Sequence, residues 1–537
     1  MVEKEFNLLE EPWIRVLDFR NNVIEVSLTD LFENAHCYRQ LAGETATQDA
    51  AIFRVLLAVV ATVFYRYDAE GNKLGVSDVL MPEDEVLDRW QEYWNKGRFN
   101  GKVFREYLEQ YRERFYLFHP ETPFWQVNEM SGEATKYGVI NLYGNIKESN
   151  NAATRHHFHV RDGNSAENLS YSEAARWVIY NNAYSVNVKT KVNGENKATG
   201  VGRLGQLGLL IADEDNLYRI LLINLCALDW NGKVWGKPNP IWEQEVRKQP
   251  GEEIVPPDNL PEIYTIQSRR LLLKCENGKI TGFSSIGGDY YSTVNDLREP
   301  MTLLQHKEKD KSIVPRKHRK EVMAWRELPS ILADSDETTP GLVAWIKCLK
   351  GSRLLAKSKY ITFRMIGLEY GDGMSYTNGE IFNQSLSMSK ELLRNIGDIW
   401  VRRVNDEVKN CEEVVNKVFY SFSGKICESL YKGDSQQRKR ISESLANEYY
   451  FRVDKEFRDW LISISPESDS LDEKTGEWEK QSADIATGVM EKFVSGLCLQ
   501  NMLLAADAVN LFKVGLFKLY RLTNGEGRET NEQKKED

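Results

Sequence analysis

From about residue 385 to residue 522 the chain keeps the 3.6-residue apolar spacing of amphipathic helices, and Pro466 is the one proline in that stretch. A run this long without a helix breaker has few options other than helices packed on one another. Trp400, Val401, Val404 and Val408 mark the first buried stripe. Breaks are expected near Asp406, at Lys432-Gly433, within 463–475 and at Ala505. They divide residues 386–523 into a bundle of about four helices, a size typical of one domain. Residues 524–537 (NGEGRETNEQKKED) are charged and carry no large apolar side chain, so they read as a disordered tail.

Residues 1–385 read differently, as a mixed N-terminal domain, which makes the fold class α+β, with short sheets and helices followed by the bundle. Residues 13–17 (WIRVL) and 23–26 (VIEV) flank a polar Arg20-Asn-Asn22 turn and predict a hairpin. Ser27 follows in position to cap a short helix. Residues 47–67 are apolar nearly all round and predict a buried helix. Residues 83–116 predict one or two amphipathic helices interrupted at Lys96-Gly97. Farther on, 263–266 (IYTI) and 271–274 (LLLK) look like short strands, and 186–206 reads as a long polar loop with four glycines.

The chain has 41% hydrophobic and 28% charged residues, the balance of a globular protein. Its longest apolar run, 55–65, is eleven residues, whereas a bilayer crossing takes about 20, so no membrane association is expected. The acidic N-terminus lacks an export-signal pattern. Seven cysteines lie far apart with no CxxC, which fits a reducing, cytoplasmic location and argues against a zinc ribbon. The net charge of −10 disfavours indiscriminate nucleic-acid binding, but two segments run against it. Residues 186–206 carry Lys189, Lys191, Lys197 and Arg203 against Glu195, a local net of +3. Residues 305–320 carry seven Lys or Arg against Glu308 and Asp310, a local net of +5.

Catalytic motifs are missing: there is no GxxxxGK[ST], GxSxG or HExxH. His156, His157 and His159 crowd together ahead of Asp162, but adjacent ligands rarely converge on one ion, and no Cys or carboxylate stands at supporting spacing. A metal-dependent nuclease using the His156–His159 cluster is the alternative reading. Asp213-Glu214-Asp215 and Asp334, Asp336 and Glu337 are carboxylate groups that could hold Mg²⁺ and more often are simply solvated. No catalytic residue, metal or cofactor is expected.

Residues 6–16 (FNLLEEPWIRV) carry an NLL-x-x-PWI-x-V pattern, and Arg114-Phe115-Tyr116-Leu117-Phe118 with Pro123-Phe124-Trp125-Gln126 supplies an RFxL…PFxQ segment. On these the chain resembles the CasA family, the large subunits of the type I-E CRISPR Cascade complex, over about residues 6–522. The resemblance implies a non-catalytic, DNA-reading subunit. Its partners would be double-stranded target DNA, the 5′ handle of the guide (crRNA), other Cascade subunits and the CRISPR helicase–nuclease recruited to cut. Such a subunit recognises the PAM largely from the minor groove and helps open the duplex, while base pairing reads the sequence.

Four family elements are expected on matching residues. A docking loop at the guide handle carries A-T-x-x-x-F, here residues 153–158, with its tip at Phe158, His159 and Val160. A minor-groove glycine loop falls around Asn193, Gly194, Asn196 and Lys197, where backbone without a Cβ can enter a groove about 6 Å wide. A lysine finger is expected at Lys307 or Lys309, and a wedge loop at Gly371, Asp372, Gly373 and Met374. The sequence departs from the family pattern in offering Asp372 where the best-known wedge presents glutamine, and its glycine loop is longer and more basic. It also lacks the cysteine cluster of some members, so no zinc is expected. In the bundle, Arg402, Arg403, Arg438, Lys439 and Arg440 fit either a nucleic-acid face or solvated helix surfaces.

Overall fold

The computed structural model describes residues 4–74, 83–130, 134–143, 167–187, 189–192, 195–198, 200–291, 299–307, 309, 311–319, 321–333, 337–352, 355, 359–375, 377–393 and 397–523. The protein is α+β, with short sheets and helices followed by a helical C-terminal region. Its described residues form two compact units. One draws on 1–321, 335–349 and 362–385; the other draws on 322–334, 350–361 and 386 onward.

In the first unit most of the apolar residues of the family-like segments are core, while Glu10, Glu11 and Pro12 are exposed. Glu5–Asn7 pairs antiparallel with Tyr116–Phe118, so the two stretches that carry the resemblance lie side by side. Trp13 is fully buried and donates from Nε1 to the Leu8 carbonyl. Gln126 is buried too; its amide donates to the Leu117 carbonyl and accepts from the Leu273 amide. Trp13 and Gln126 therefore set packing.

The expected hairpin forms between Ile14–Asp18 and Val23–Val26, and Tyr38–Leu41 adds a third strand. Ser27 caps the helix Leu28–Asn34 by accepting from the Asp30 amide. Ala46–Arg66 is the buried helix, with Thr45 capping it through the Gln48 amide. By length and composition this helix could cross a membrane, which a count of unbroken apolar residues understated. However, 94% of its apolar window is buried inside the protein, so the core already uses that surface. Glu83–Lys96 and Gly101–Glu109 are the two amphipathic helices, separated at Gly97 with φ +74°.

Two expectations for the middle of the chain fail. Residues 263–266 do not form a strand, because Asn259 accepts from the Glu262 amide and Pro261 stands in the first turn, which starts a helix, Leu260–Tyr264. Residues 186–206 are not one loop: Lys189–Val192 and Glu195–Ala198 pair antiparallel, Lys189 opposite Ala198 and Val192 opposite Glu195. The run 271–274 does lie in a strand, Arg269–Glu276, paired with Lys279–Gly287. A separate sheet orders Thr377–Ser389, Tyr360–Tyr370 and Leu209–Asp213, with Tyr360–Tyr370 in the middle.

In the second unit one helix runs from 398 to 430, through Asp398–Glu413, a π turn at Val414–Phe419, and Tyr420–Leu430. Asp406 does not break it. Asp406 itself is half-exposed, and buried Asn405 beside it donates its side-chain amide to the Leu332 carbonyl, so this polar pair does not end the helix. Ser435–Ser463, Leu471–Ser495 and Ala506–Thr523 complete four long helices, with the short Leu499–Leu504 between the last two. Lys432 and Gly433, both at positive φ, make the turn into Ser435–Ser463, and Asp434 caps it on the Gln436 and Gln437 amides.

Candidate nucleic-acid interface

The wedge candidate is the tight turn joining Tyr360–Tyr370 to Thr377–Ser389. Asp372–Met374 is a single helical turn, closed by the Met374 amide on the Gly371 carbonyl. Gly373 stands at φ +62°, where glycine costs nothing, and Met374 at φ +56°, an unusual conformation for a side-chain-bearing residue. Met374 is 41% exposed, so the thioether side chain is presented to solvent by a rigid backbone.

The glycine-loop candidate arrives at the same place. Asn187, two residues before the strand Lys189–Val192, donates its amide to the Met374 carbonyl at 2.8 Å. Its side-chain oxygen accepts from the Gly200 amide at 3.1 Å, on the far leg of the hairpin. Asn196 and Lys197 lie on the strand Glu195–Ala198, whereas Asn193 and Gly194 lie outside the described residues. The root of the hairpin is fastened by Arg269, a buried residue whose guanidinium donates to the Val186 and Gly200 carbonyls at 2.7 and 2.6 Å. Burial pushes the pKa of that guanidinium down to about 10, still charged at neutral pH.

The basic segment meets the edge of the three-stranded sheet, through a bridge between Thr302 and Leu209. Leu303–His306 and Ile313–Arg316 form a second hairpin, and the Lys307 amide donates to the Ser312 carbonyl across its end. Lys309 is exposed and Lys307 half-buried. Beyond it, His318 Nε2 donates to the Leu209 carbonyl at 2.9 Å and the ring stacks on Phe382 at 4.9 Å. Lys317 lies over the Tyr370 ring at 4.9 Å, and burial lowers its pKa. A cleft of about 370 Å³ opens here, lined by Lys317, His318, Glu321, Glu369, Phe382 and Gln384. The sheet of Leu209–Asp213, Tyr360–Tyr370 and Thr377–Ser389 thus carries the 371–374 turn and bridges to the basic hairpin, while the 189–198 hairpin meets the turn through Asn187 and is held at its root by Arg269.

Other candidates resolve less favourably. Phe158, His159, Val160 and the histidines at 156 and 157 lie outside the described residues. Asp213 pairs with Arg364 at 2.8 Å, and burial raises its pKa, so it is a structural carboxylate. Arg403 is buried against Thr475, and Arg438 lies over the Tyr420 ring at 3.9 Å, while Arg402, Lys439 and Arg440 are exposed. Among the described residues no group of three or more His, Cys, Asp or Glu could hold a metal ion. Asn187 and Arg269 went unnoticed in the sequence. The only signal was the Arg269-Arg270 pair opening an apolar strand, which forecasts buried cations in need of acceptors.

This architecture, a mixed unit with a helical C-terminal unit, is that of solved Cse1 proteins. The crystal structure of Thermobifida fusca Cse1 superposes with a TM-score of 0.81 at 23% identity, covering 96% of this chain and 98% of that one. A chain of a solved CRISPR RNA-guided surveillance complex matches with a TM-score of 0.72 at 17% identity, covering 96% and 100%. The family described as CRISPR-associated protein Cse1 matches residues 7–489, and the chain belongs to that family. The CRISPR-associated protein CasA/Cse1 of Thermus thermophilus is 30% identical over 243 residues, 45% of this chain. That match spans 42% of the curated relative's length.

Proposed function

We propose that this chain is the non-catalytic large subunit of a Cascade surveillance complex, working beside the other Cascade subunits and the crRNA 5′ handle. It reads the PAM on double-stranded DNA from the minor groove, promotes strand opening, and forms the surface to which the helicase–nuclease is recruited. The observation that carries this reading is the hydrogen bond from Asn187 to Met374, which brings the glycine-loop and wedge candidates of the family together. Minor-groove base edges present N3 and O2 acceptors at every pair, so a lysine there biases PAM choice without strict coding. Lys309 is the better finger, being the more exposed of the two lysines. Met374 acts as the apolar wedge that unstacks a base step, as in proteins that kink DNA from the minor groove, because a carboxylate such as Asp372 is repelled by phosphates.

The test compares a PAM duplex with a pre-opened bubble carrying the same PAM, using the assembled complex. Lys309→Ala should weaken PAM-dependent binding to both and lower the salt dependence. Met374→Ala should slow opening of the duplex while leaving the bubble nearly unaffected. A Met374 defect equally large on the bubble rules out the wedge.

A further inference from the structure

The hairpin and the turn are joined more closely than two neighbouring loops need to be. Besides the Asn187 amide on the Met374 carbonyl, the Asn187 side chain reaches the Gly373 carbonyl at 3.5 Å. One residue before the turn, Tyr370 donates its hydroxyl to the Tyr184 carbonyl at 2.8 Å, on the chain leading into the hairpin. The Asn187 side-chain oxygen holds the Gly200 amide, and Arg269 fixes the Val186 and Gly200 carbonyls on either side. From the near leg of the hairpin root, residue 187 thus bonds the far leg and the turn at once. The side-chain bond to Gly200 is the shorter of its two, at 3.1 Å against 3.5 Å for the one to Gly373, so it does most to hold the Asn187 amide toward Met374.

We propose that the 189–198 hairpin and the 371–374 turn act on DNA as one keyed unit, with Asn187 the positioning residue that couples them. This rests on the DNA-reading function proposed above and adds to it that PAM contact and wedge insertion are concerted. A hairpin seated in the groove fixes where Met374 stands, and a turn that cannot insert lifts the hairpin. The coupling is an interaction free energy between two elements, so it is visible as non-additivity.

Two measurements test it, one without DNA. Hydrogen–deuterium exchange on the free full-length chain compares Asn187→Ala, which removes both side-chain bonds, with Asn187→Asp, which keeps the oxygen for Gly200. Asn187→Ala should accelerate exchange by about fivefold, the equivalent of one net hydrogen bond, both around Gly200 and in the 372–377 turn. Asn187→Asp should restore protection at both. Acceleration around Gly200 alone, or no rescue by Asp, overturns the key. Should Asn187→Ala fail to fold, Asn187→Ser, too short to reach the Gly200 amide, takes its place with the same expectations.

The second measurement is the opening rate of a PAM duplex by the assembled complex bearing Lys197→Ala, Met374→Ala or both. The two effects should combine with about fivefold non-additivity in the native background and additively in the Asn187→Ala background. Additivity in both backgrounds, or equal non-additivity in both, overturns the coupling. If both single variants open the duplex at the native rate, the DNA-reading assignment fails and the coupling falls with it, whatever the exchange data show about the free chain.

Discussion

In the mixed unit, Arg54 and Glu299 are both buried and bonded at 2.9 Å, and the guanidinium also lies over the Tyr264 ring at 3.9 Å. In the helical unit, Glu407 and Glu479 are buried near each other, and Glu407 is held by the Asn410 amide at 3.1 Å. Burial, with repulsion from Glu479, pushes the Glu407 carboxyl up to about 8. The first arrangement keeps its charges by pairing them, whereas the second keeps its carboxyl uncharged at neutral pH. A buried pair between residues 54 and 299 ties distant segments of irregular chain together. A protonated carboxyl inside helices ties nothing distant, since periodic packing already does that, and it leaves the unit sensitive to pH.

The contrast breaks most sharply if the helical unit is cut out. Trp325 stacks on Phe457 at 4.6 Å, Arg326 pairs with Glu412 at 2.9 Å, and Asn405 bonds Leu332, all within that unit and all lost from a 386–523 fragment. We expect the fragment to be strongly helical by circular dichroism. Its melting temperature should fall about 10–20 °C below that of the unit in the full chain, as losing a buried Trp contact implies. A β-rich or unfolded spectrum counts against 386–523 as a folding unit.

Next in size is Arg54→Met, which strands the Glu299 carboxylate and should cost about 3–5 kcal/mol in denaturant unfolding of the full chain. A cost below about 1 kcal/mol means that the pair is not what holds residue 299 in place. Glu407→Gln should act in the opposite direction and with pH. The folded carboxyl keeps its proton to about pH 8, while the unfolded one releases it near its ordinary 4.5. The folded state therefore binds the extra proton across that window, and its stability falls as pH rises through it. Gln should stabilise by about 4 kcal/mol more at pH 8 than at pH 4, at about 1.4 kcal/mol per pKa unit across that window, read by thermal unfolding at both pH values. Equal effects at the two pH values contradict a raised pKa. The smallest effect is Asp434→Ala, about 1 kcal/mol from the lost cap on Ser435–Ser463, read by the same method; no loss means that the Lys432–Gly433 turn alone sets the helix start.

The same contrast explains what the sequence made legible. Helix ends at Lys432-Gly433 and around Pro466 were visible because backbone conformation is written locally in such residues. The break expected at Asp406 was not real, because the acceptor satisfying Asn405 comes from Leu332, far along the chain. The 189–198 hairpin was missed because its two strands, KTKV against ENKA, show no apolar alternation; pairing there rests on the backbone and on Arg269 from a distant strand. Of the candidate elements, the 371–374 turn was legible from its glycines and the basic run 305–320 from its charge, but not the pairing of Leu303–His306 with Ile313–Arg316. What could not be read was the meeting of the 371–374 turn with the 189–198 hairpin, since Asn187 and Met374 are joined through main-chain atoms that leave no mark on residue type.

The π turn at Val414–Phe419 gives the 398–430 helix two packing faces. Arg403 before the turn meets Thr475, while Phe419 at its end and Phe422 beyond it meet Phe512. Such a turn accommodates about one residue more than a regular helix would in the same length, offsetting the later side chains by about 100°. Residues 414–419 are consequently a place where the chain can shorten by one without scrambling its neighbours: the helix relaxes to regular geometry, and both faces keep their aim. One residue removed elsewhere in the helix swings half of it away from its partner. Tolerance to a change in length is thus concentrated in six residues, four of which (Val414, Val415, Val418 and Phe419) would look intolerant if judged by burial alone.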